Sequence, residues 1–184
     1  MCQTWSVNGS DYLELRFLGK GKGGFSYLVT DGKDQYVLKQ IHHEPCSYYH
    51  FGNKLEAECR DYERIRKAGI RIPKMLAVDT EQERILKEYI DGKTVYEWIR
   101  DGESGESLLD QVRTMAALAE QAGLNIDYFP TNFVVQDGLI WYIDYECNNY
   151  MEEWNFENWG IKYWSRTKEF DAYLKSREDG ENGV

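Results

Sequence analysis

The stretch 127-DYFPTNFVVQDGLIWYIDYE-146 contains two short apolar runs, 133–135 and 139–143, on either side of Asp137-Gly138. An Asp-Gly pair between two apolar runs is typical of a β-hairpin with a two-residue turn. Because the strand ends opposite such a turn lie side by side, we expect Asn132 and Asp144 to come together. The stretch therefore predicts a hairpin that carries an amide and a carboxylate at its open end.

The side chains at this end of the hairpin are suited to phosphoryl chemistry. Asn132 and Asp144 are candidate ligands for one Mg²⁺, which prefers oxygen and often binds through few protein groups together with substrate phosphates. Asp127 lies on the loop that leads into the first strand. It is a candidate general base that accepts the proton of an attacking hydroxyl. The alternative is that Asn132 and Asp144 only cap turns.

Five strand-like segments precede this hairpin. The first alternates like a half-buried strand, and the first three follow in series through short turns, which is typical of an antiparallel meander. The predicted strands cover residues 12–18, 25–30, 35–41, 74–79 and 84–90. A sheet is therefore expected in the first half of the chain.

Helical periodicity marks residues 53–68, and Gly69 suits the position after the end of that helix. A second long helix is predicted over residues 108–122, and the aromatic-rich residues 150–176 are also expected to be helical. The predicted strands come first and the helices mostly later. This order predicts an α+β fold, with a boundary between two parts of the chain near Ile90.

A shorter helix should begin at Thr94, because Thr94 and Glu97 have the spacing of a capping box.

Several glycines occupy the turn between the first two predicted strands. Consecutive glycines let backbone N–H groups approach an anion closely, which suits a phosphate. The alternative is a plain glycine-rich hairpin. The candidate phosphate-binding residues of this turn are Gly19, Gly21, Gly23 and Gly24.

Lys39 and Glu58 are charged residues in apolar surroundings. Lys39 lies within the strand predicted over 35–41, and a lone buried ammonium group is unfavourable. Glu58 falls inside the apolar stripe of the helix predicted over 53–68, where a carboxylate needs a cation. We therefore expect the two to pair. The alternatives are a solvent-facing Lys39 on an edge strand and a Glu58 that reaches water.

Composition excludes some classes of function. The chain has 22 basic and 32 acidic residues, a net charge of −10, which argues against a binder of duplex nucleic acid and makes direct nucleic-acid binding unexpected. No apolar run is long enough to span a membrane, and the first residues do not look like a signal peptide. The four cysteines form no CxxC pair, so a reduced, cytoplasmic protein is expected.

A second group of metal-capable residues lies between the third predicted strand and the first helix. Its spacing fits no common zinc pattern, and a connecting loop is expected there. The residues are His42, His43, Cys46 and His50.

The order of these features resembles that of the protein-kinase-like superfamily. The glycine-rich turn, Lys39 and Glu58 are followed by KEYIDG at 87–92, NIDYFPTN at 125–132 and IDYE at 143–146. The resemblance covers about 18–146. It implies a two-lobed fold with an N-lobe at 1–90, made of an antiparallel sheet and one helix, and a truncated, mainly helical C-lobe at 91–184.

In kinases the Lys–Glu pair orients the α- and β-phosphates, the loop Asp is the base, and the loop Asn and strand-end Asp hold Mg²⁺. The resemblance therefore implies ATP and Mg²⁺ as cofactors. It implies catalytic roles for Lys39, Glu58 and Asp127, metal ligation by Asn132 and Asp144, phosphate binding by the glycine-rich turn, and adenine binding by the Glu88 carbonyl and the Ile90 N–H.

The glycine-rich turn fits the family in two registers. One register is Gly19-x-Gly21-x-x-Gly24, and the other uses Gly21, Gly23 and Ser26.

The subfamily stays open. EAECRDYERIRKAGIRIPKMLAVD at 56–79, with KEYIDGKTV at 87–95, is most similar to the small kinase subunit of the tRNA threonylcarbamoylation complex and to the RIO kinases. DYFPTN is instead similar to the corresponding loop of aminoglycoside phosphotransferases, and IDYE is similar to choline kinases.

The chain also departs from the kinase pattern. Asn125 stands where protein kinases carry a His, Glu146 stands where they carry a Gly, and Lys87 stands at the gatekeeper position. No Ala-Pro-Glu motif follows Asp144, so a protein acceptor would have to dock differently. The aromatic tail is expected to pack the small second lobe rather than to line a substrate site.

Three functions remain in competition. The first is an ATP-dependent phosphotransferase that acts on a hydroxyl acceptor, such as Ser or Thr of a protein or of the chain itself. The second is a small-molecule kinase of the aminoglycoside or choline type. The third is a regulatory module that binds ATP, or hydrolyses it slowly, to act on a partner.

Overall fold

The computed structural model describes residues 3–43, 53–103 and 105–181, with side chains described as far as residue 177. Cys46 and His50 therefore lie outside the described residues. The chain divides into two compact units. The first unit is Met1–Tyr62 with Pro73–Tyr89, and the second is Glu63–Ile72 with Ile90–Val184. The fold is α+β, as the sequence predicts.

The regular elements follow one another along the chain as β1 (Thr4–Val7), β2 (Ser10–Lys20), β3 (Gly24–Thr30), β4 (Gln35–Ile41), α1 (Lys54–Lys67), β5 (Met75–Asp79), β6 (Arg84–Glu88), β7 (Lys93–Thr94), α2 (Val95–Arg100), α3 (Glu106–Gln121), β8 (Leu124–Ile126), β9 (Phe133–Gln136), β10 (Leu139–Tyr142), β11 (Cys147–Asn149) and α4 (Lys168–Glu181).

The first unit contains a six-stranded antiparallel sheet in the order β1-β2-β3-β4-β6-β5. The five strands expected from the sequence are present. β1 is an additional strand, which turns back into β2 at Asn8 and Gly9, with φ angles of 50° and 82°. Positive φ at both positions matches the tight turn that an Asn-Gly pair favours.

Alternation along these strands builds the core of the first unit. Trp5 and Val7 of β1 pack with side chains from β3, β4 and β6. The buried members of this cluster are Trp5, Val7, Val29, Leu38 and Leu86. Side chains alternate along a strand, so Val37 and Lys39, the neighbours of Leu38 in β4, lie on the other face of the sheet. The Lys39 side chain therefore cannot lie in this core.

Helix α1 buries Leu55 and Ile65 and ends as the sequence predicts. Gly69 has a φ of 82°, and its N–H donates to the Arg66 carbonyl at 3.1 Å. This left-handed residue satisfies a free carbonyl at the helix end. The division between the two units falls within α1, after Tyr62.

In the second unit the hairpin predicted around Asp137-Gly138 is confirmed. β9 and β10 pair with Gln136 opposite Leu139, and Asp137 and Gly138 have φ angles of 52° and 74°. The capping box is also confirmed, because the Thr94 hydroxyl accepts from the Glu97 N–H while the Glu97 carboxylate accepts from the Thr94 N–H. Helix α3 buries the predicted face, Leu108, Val112, Met115 and Ala119.

The prediction that residues 150–176 are helical is wrong for the first half. Short 3₁₀ turns at Glu152–Trp154 and Gly160–Tyr163 replace an α-helix there, and α4 begins only at Lys168. The Asn155 side chain accepts from the Asn158 N–H at 2.8 Å, a local bond that competes with helix formation. Trp164 is buried in this unit, and its Nε1–H donates to the Tyr128 carbonyl at 2.7 Å.

In the part of the chain that the structure describes, no helix is both long and apolar enough to cross a bilayer.

The β10 strand offers a matched test of this packing. Ile140 is 0% exposed and its neighbour Leu139 is 43% exposed. We expect Ile140→Ala to lower the free energy of unfolding by about 2–5 kcal/mol, because it removes buried methyl groups and leaves a cavity. Leu139→Ala should cost less than about 0.5 kcal/mol. Urea denaturation of both variants checks this, and equal losses would contradict the register of the hairpin.

Candidate active site

Lys39 lies in the middle of β4, where it faces Ser26 of β3 and Ile85 of β6. Its side chain is only 11% exposed, and its ammonium donates to Oε1 of Glu58 on α1. The expected pairing of Lys39 with Glu58 is therefore present. The other carboxylate oxygen, Oε2, is buried and makes no hydrogen bond to any described residue. The charge of Glu58 thus depends on Lys39 for compensation.

The glycine-rich turn contacts this ion pair. β2 ends at Lys20, β3 begins at Gly24, and the Gly21 N–H donates to the Gly24 carbonyl at 2.9 Å. A Cβ at Gly23 would lie 3.0 Å from Glu58 Oε1 and 3.4 Å from Lys39 Nζ. A side chain at this position would therefore crowd the ends of the Glu58 and Lys39 side chains, which would have to move by a few tenths of an ångström.

The other two glycines of the segment, Gly19 and Gly24, lie in the strands on either side of the turn. Gly19 lies within β2 and pairs with Ser26 across the strands. A Cβ at Gly24 would be 2.4 Å from the Gln40 carbonyl oxygen, so Gly24 is needed for β3 and β4 to pair. The turn itself is formed by Gly21, Lys22 and Gly23. A phosphate-binding role for any of these glycines stays a prediction.

Glu88 and Lys87 are at the end of β6. The Glu88 N–H donates to the Lys74 carbonyl at 2.9 Å, and Glu88 Oε2 accepts from the Lys74 N–H at 3.1 Å. Lys87 is buried and faces Val37. Ile90 is buried and belongs to the second unit. Adenine binding by Glu88 and Ile90 stays a prediction.

Asp127 follows β8 on a loop that is held at several points. Its Oδ1 accepts from the Phe129 N–H at 3.1 Å, and its carbonyl accepts from the Asn132 side-chain amide at 3.4 Å. Asn125 is buried in β8, and its amide donates to the Met151 carbonyl at 2.9 Å. The carboxylate of Asp127 is therefore fixed by local bonds.

Asn132 precedes β9 and Asp144 follows β10, so both lie at the open end of the hairpin; their joint metal binding stays a prediction. The Ile143 N–H donates to the Asn132 carbonyl at 2.9 Å, which places Asp144 one residue from that contact. The Asn132 amide nitrogen donates to Asp127, so its amide oxygen is the atom left for a cation. Asp144 Oδ1 accepts from the Tyr145 N–H at 2.8 Å.

An amide oxygen and a carboxylate fit Mg²⁺, which takes oxygen ligands. Within the described ranges no group of three or more His, Cys, Asp or Glu side chains could hold a metal ion. Asn132 offers one side-chain oxygen and Asp144 offers two, so Mg²⁺ bound here, which takes about six ligands, would need further oxygens from water or a phosphate.

Tyr142 connects the parts of this loop region, a role that no sequence pattern indicates. Its buried hydroxyl accepts from the Asp127 N–H at 3.2 Å and donates to the Glu146 carbonyl at 2.7 Å. Burial raises the pKa of the Tyr142 hydroxyl well above its usual range, and the nearby Asp144 and Asp127 charges raise it further. The group therefore stays a neutral donor and positions the Asp127 backbone.

We expect Tyr142→Phe to destabilise the protein by about 1–3 kcal/mol, because it removes this partner from the half-buried Asp127 N–H and Glu146 carbonyl. Tyr173→Phe is the control, since the Tyr173 hydroxyl makes no hydrogen bond to the described residues and should change stability by less than about 0.5 kcal/mol. Thermal denaturation measures both. A Tyr142→Phe protein as stable as Tyr173→Phe would rule out the bridging role.

Comparisons with known proteins give one partial similarity. No family model matches the chain. Over 109 residues, 59% of this chain, it is 30% identical to a protein of Methanospirillum hungatei named probable bifunctional tRNA threonylcarbamoyladenosine biosynthesis protein. The matched region makes up 20% of that protein, so the chain spans about a fifth of the length of the relative that it matches. The similarity is thus to one part of a longer tRNA modification protein.

Proposed function

We propose that this chain is an ATP-dependent phosphotransferase of protein-kinase-like type, which transfers the γ-phosphate of ATP to a hydroxyl acceptor, such as Ser or Thr of a protein or of the chain itself. The observation that carries the proposal is the ion pair between buried Lys39 and Glu58, with Gly23 directly against it. A buried ammonium fixed beside a glycine-rich turn is suited to binding a polyphosphate.

Each unit contributes residues with separate roles in this proposal. Glu58 holds the Lys39 ammonium, which binds phosphate oxygens of ATP. Asp127 orients the acceptor hydroxyl and accepts its proton. Asn132 and Asp144 offer the oxygens that would hold Mg²⁺, which when bound neutralises charge on the phosphates.

The proposed reaction is a single displacement. The acceptor oxygen forms a bond to the γ-phosphorus, the bond from that phosphorus to the bridging β,γ-oxygen breaks, and ADP leaves with the electron pair. The proton of the acceptor hydroxyl goes to the Asp127 carboxylate. The local bonds at Phe129 and Asn132 hold that carboxylate and its loop ready for the transfer.

A second candidate is a module that hydrolyses ATP for the benefit of a partner. Asn125 in place of the kinase His motivates this candidate, and the name of the M. hungatei relative, a tRNA threonylcarbamoyladenosine biosynthesis protein, fits a role that depends on a partner. Water would then take the place of the acceptor hydroxyl at Asp127. From the same similarity we propose that the chain takes part in tRNA modification. This proposal holds for either of the two activities.

One assay separates the candidates. The full chain is incubated with Mg²⁺ and ATP labelled on the γ-phosphate, and label in protein and in free phosphate is counted. Transfer to the chain or to an added protein supports the phosphotransferase, whereas release of phosphate alone supports the hydrolase. An absence of both products, with no acceptor found among small alcohols and amino sugars, would contradict the proposed function.

A further inference from the structure

The three carbonyls of the glycine-rich turn all face donors from two residues outside it. His42 Nε2 lies 3.1 Å from the Gly21 oxygen, and the His42 backbone N–H donates to the Gly23 oxygen at 3.4 Å. Lys54 Nζ donates to the Lys22 oxygen at 3.4 Å. His42 and Lys54 therefore engage every peptide carbonyl between Gly21 and Gly23.

These two residues are also joined to each other. Lys54 Nζ donates to the His42 carbonyl at 2.7 Å, and Lys54 is the first residue of α1 and is buried. The His42 ring packs on the Phe25 ring, with centroids 5.0 Å apart. Since a carbonyl oxygen only accepts, the His42 Nε2 must carry the proton. The result is a connected support that runs from α1 through His42 to the turn.

Carbonyl engagement decides where the N–H groups of the turn point. In a trans peptide the N–H points opposite to the preceding carbonyl. With the Gly21 and Lys22 carbonyls turned toward His42 and Lys54, the N–H groups of Lys22 and Gly23 face the other side of the turn. Consecutive backbone donors on one side of a turn are the arrangement that binds an anion.

We propose that His42 and Lys54 are positioning residues that hold the glycine-rich turn in its phosphate-binding form. The inference rests on the proposed function, because it assigns the phosphates of ATP to this turn. Neither residue needs to touch the nucleotide. Their effect is to fix the peptide planes of Gly21–Gly23 before ATP binds, so that binding does not have to order them.

The neighbouring histidine supplies the control. His43 Nε2 contacts Glu83 Oε2 at 2.7 Å, and its side chain is 67% exposed. His43→Ala thus removes the same side chain one residue away without touching the turn. His42→Gln keeps an N–H donor at a similar reach and is the conservative rescue.

The test is calorimetric binding of MgATP and of adenosine to the full chain. We expect His42→Ala and Lys54→Met to weaken MgATP binding by about tenfold and to change adenosine binding by less than about twofold. His42→Gln and His43→Ala should stay within about threefold of wild type for both ligands. A general loss of structure would instead weaken adenosine and MgATP together.

A second measurement needs no nucleotide. Hydrogen exchange of the Gly21 amide, which donates to the Gly24 carbonyl at 2.9 Å, should become faster in His42→Ala and stay unchanged in His43→Ala. Equal exchange in both variants, or MgATP binding by His42→Ala as tight as by His43→Ala, would overturn the inference alone. A wild type that binds no MgATP would contradict the proposed function as well, and the inference would fall with it.

Discussion

Asp127→Asn is expected to lower kcat for phosphate transfer by about 100- to 10,000-fold, the range that a positioned general base contributes. Asparagine keeps the oxygen that accepts from the Phe129 N–H at 3.1 Å, so the loop should keep its shape. What is lost is the ability to take the acceptor proton. MgATP affinity should therefore be close to that of wild type, and the loss should appear in kcat alone.

Asp137→Asn is the matched control for this substitution. Asp137 is exposed at the tip of the same hairpin with a φ of 52°, a conformation that asparagine tolerates well. It should leave kcat unchanged. The role of Asp127 would be refuted by a variant that transfers phosphate as fast as Asp137→Asn does.

Asp144→Asn should lower the rate at saturating ATP on the order of a thousandfold at low Mg²⁺ concentration, because a metal ion contributes several kcal/mol of charge stabilisation. The Tyr145 N–H can still donate to the asparagine oxygen, so the backbone contact survives. The distinguishing feature is the metal dependence. Raising Mg²⁺ should recover part of the activity of Asp144→Asn and none of that of Asp127→Asn.

Rates measured against Mg²⁺ concentration for both variants and for Asp137→Asn provide the comparison. If Asp144→Asn needs no more Mg²⁺ than wild type for half-maximal activity, Asp144 does not hold the metal.

Much of the fold follows from local signals. The β9–β10 hairpin was predictable because Asp137-Gly138 supplies two residues that adopt positive φ between apolar runs. β1 carries an equally strong signal in Asn8-Gly9, but it has only four residues, too few for alternation alone to reveal it. β8 and β11 have three residues each, and they form only because they pair with each other.

The residues of interest also differ in whether a local signal in the sequence identifies them. Lys39 and Glu58 could be paired from the sequence because each is a charge in apolar surroundings, which requires a partner. His42, Lys54 and Tyr142 act on backbone carbonyls and N–H groups. Any residue can supply such groups, so no pattern in the sequence identifies these partners, and only the folded chain brings them together.

The affinity of the wild-type chain for ATP, measured by titration calorimetry with Mg²⁺ and with EDTA, tests the proposed nucleotide binding directly. We expect saturable binding in both conditions, because the Lys39 ammonium acts without a metal, and tighter binding with Mg²⁺, because Asn132 and Asp144 then contribute. No binding of ATP in either condition, or the same affinity in both, would contradict it.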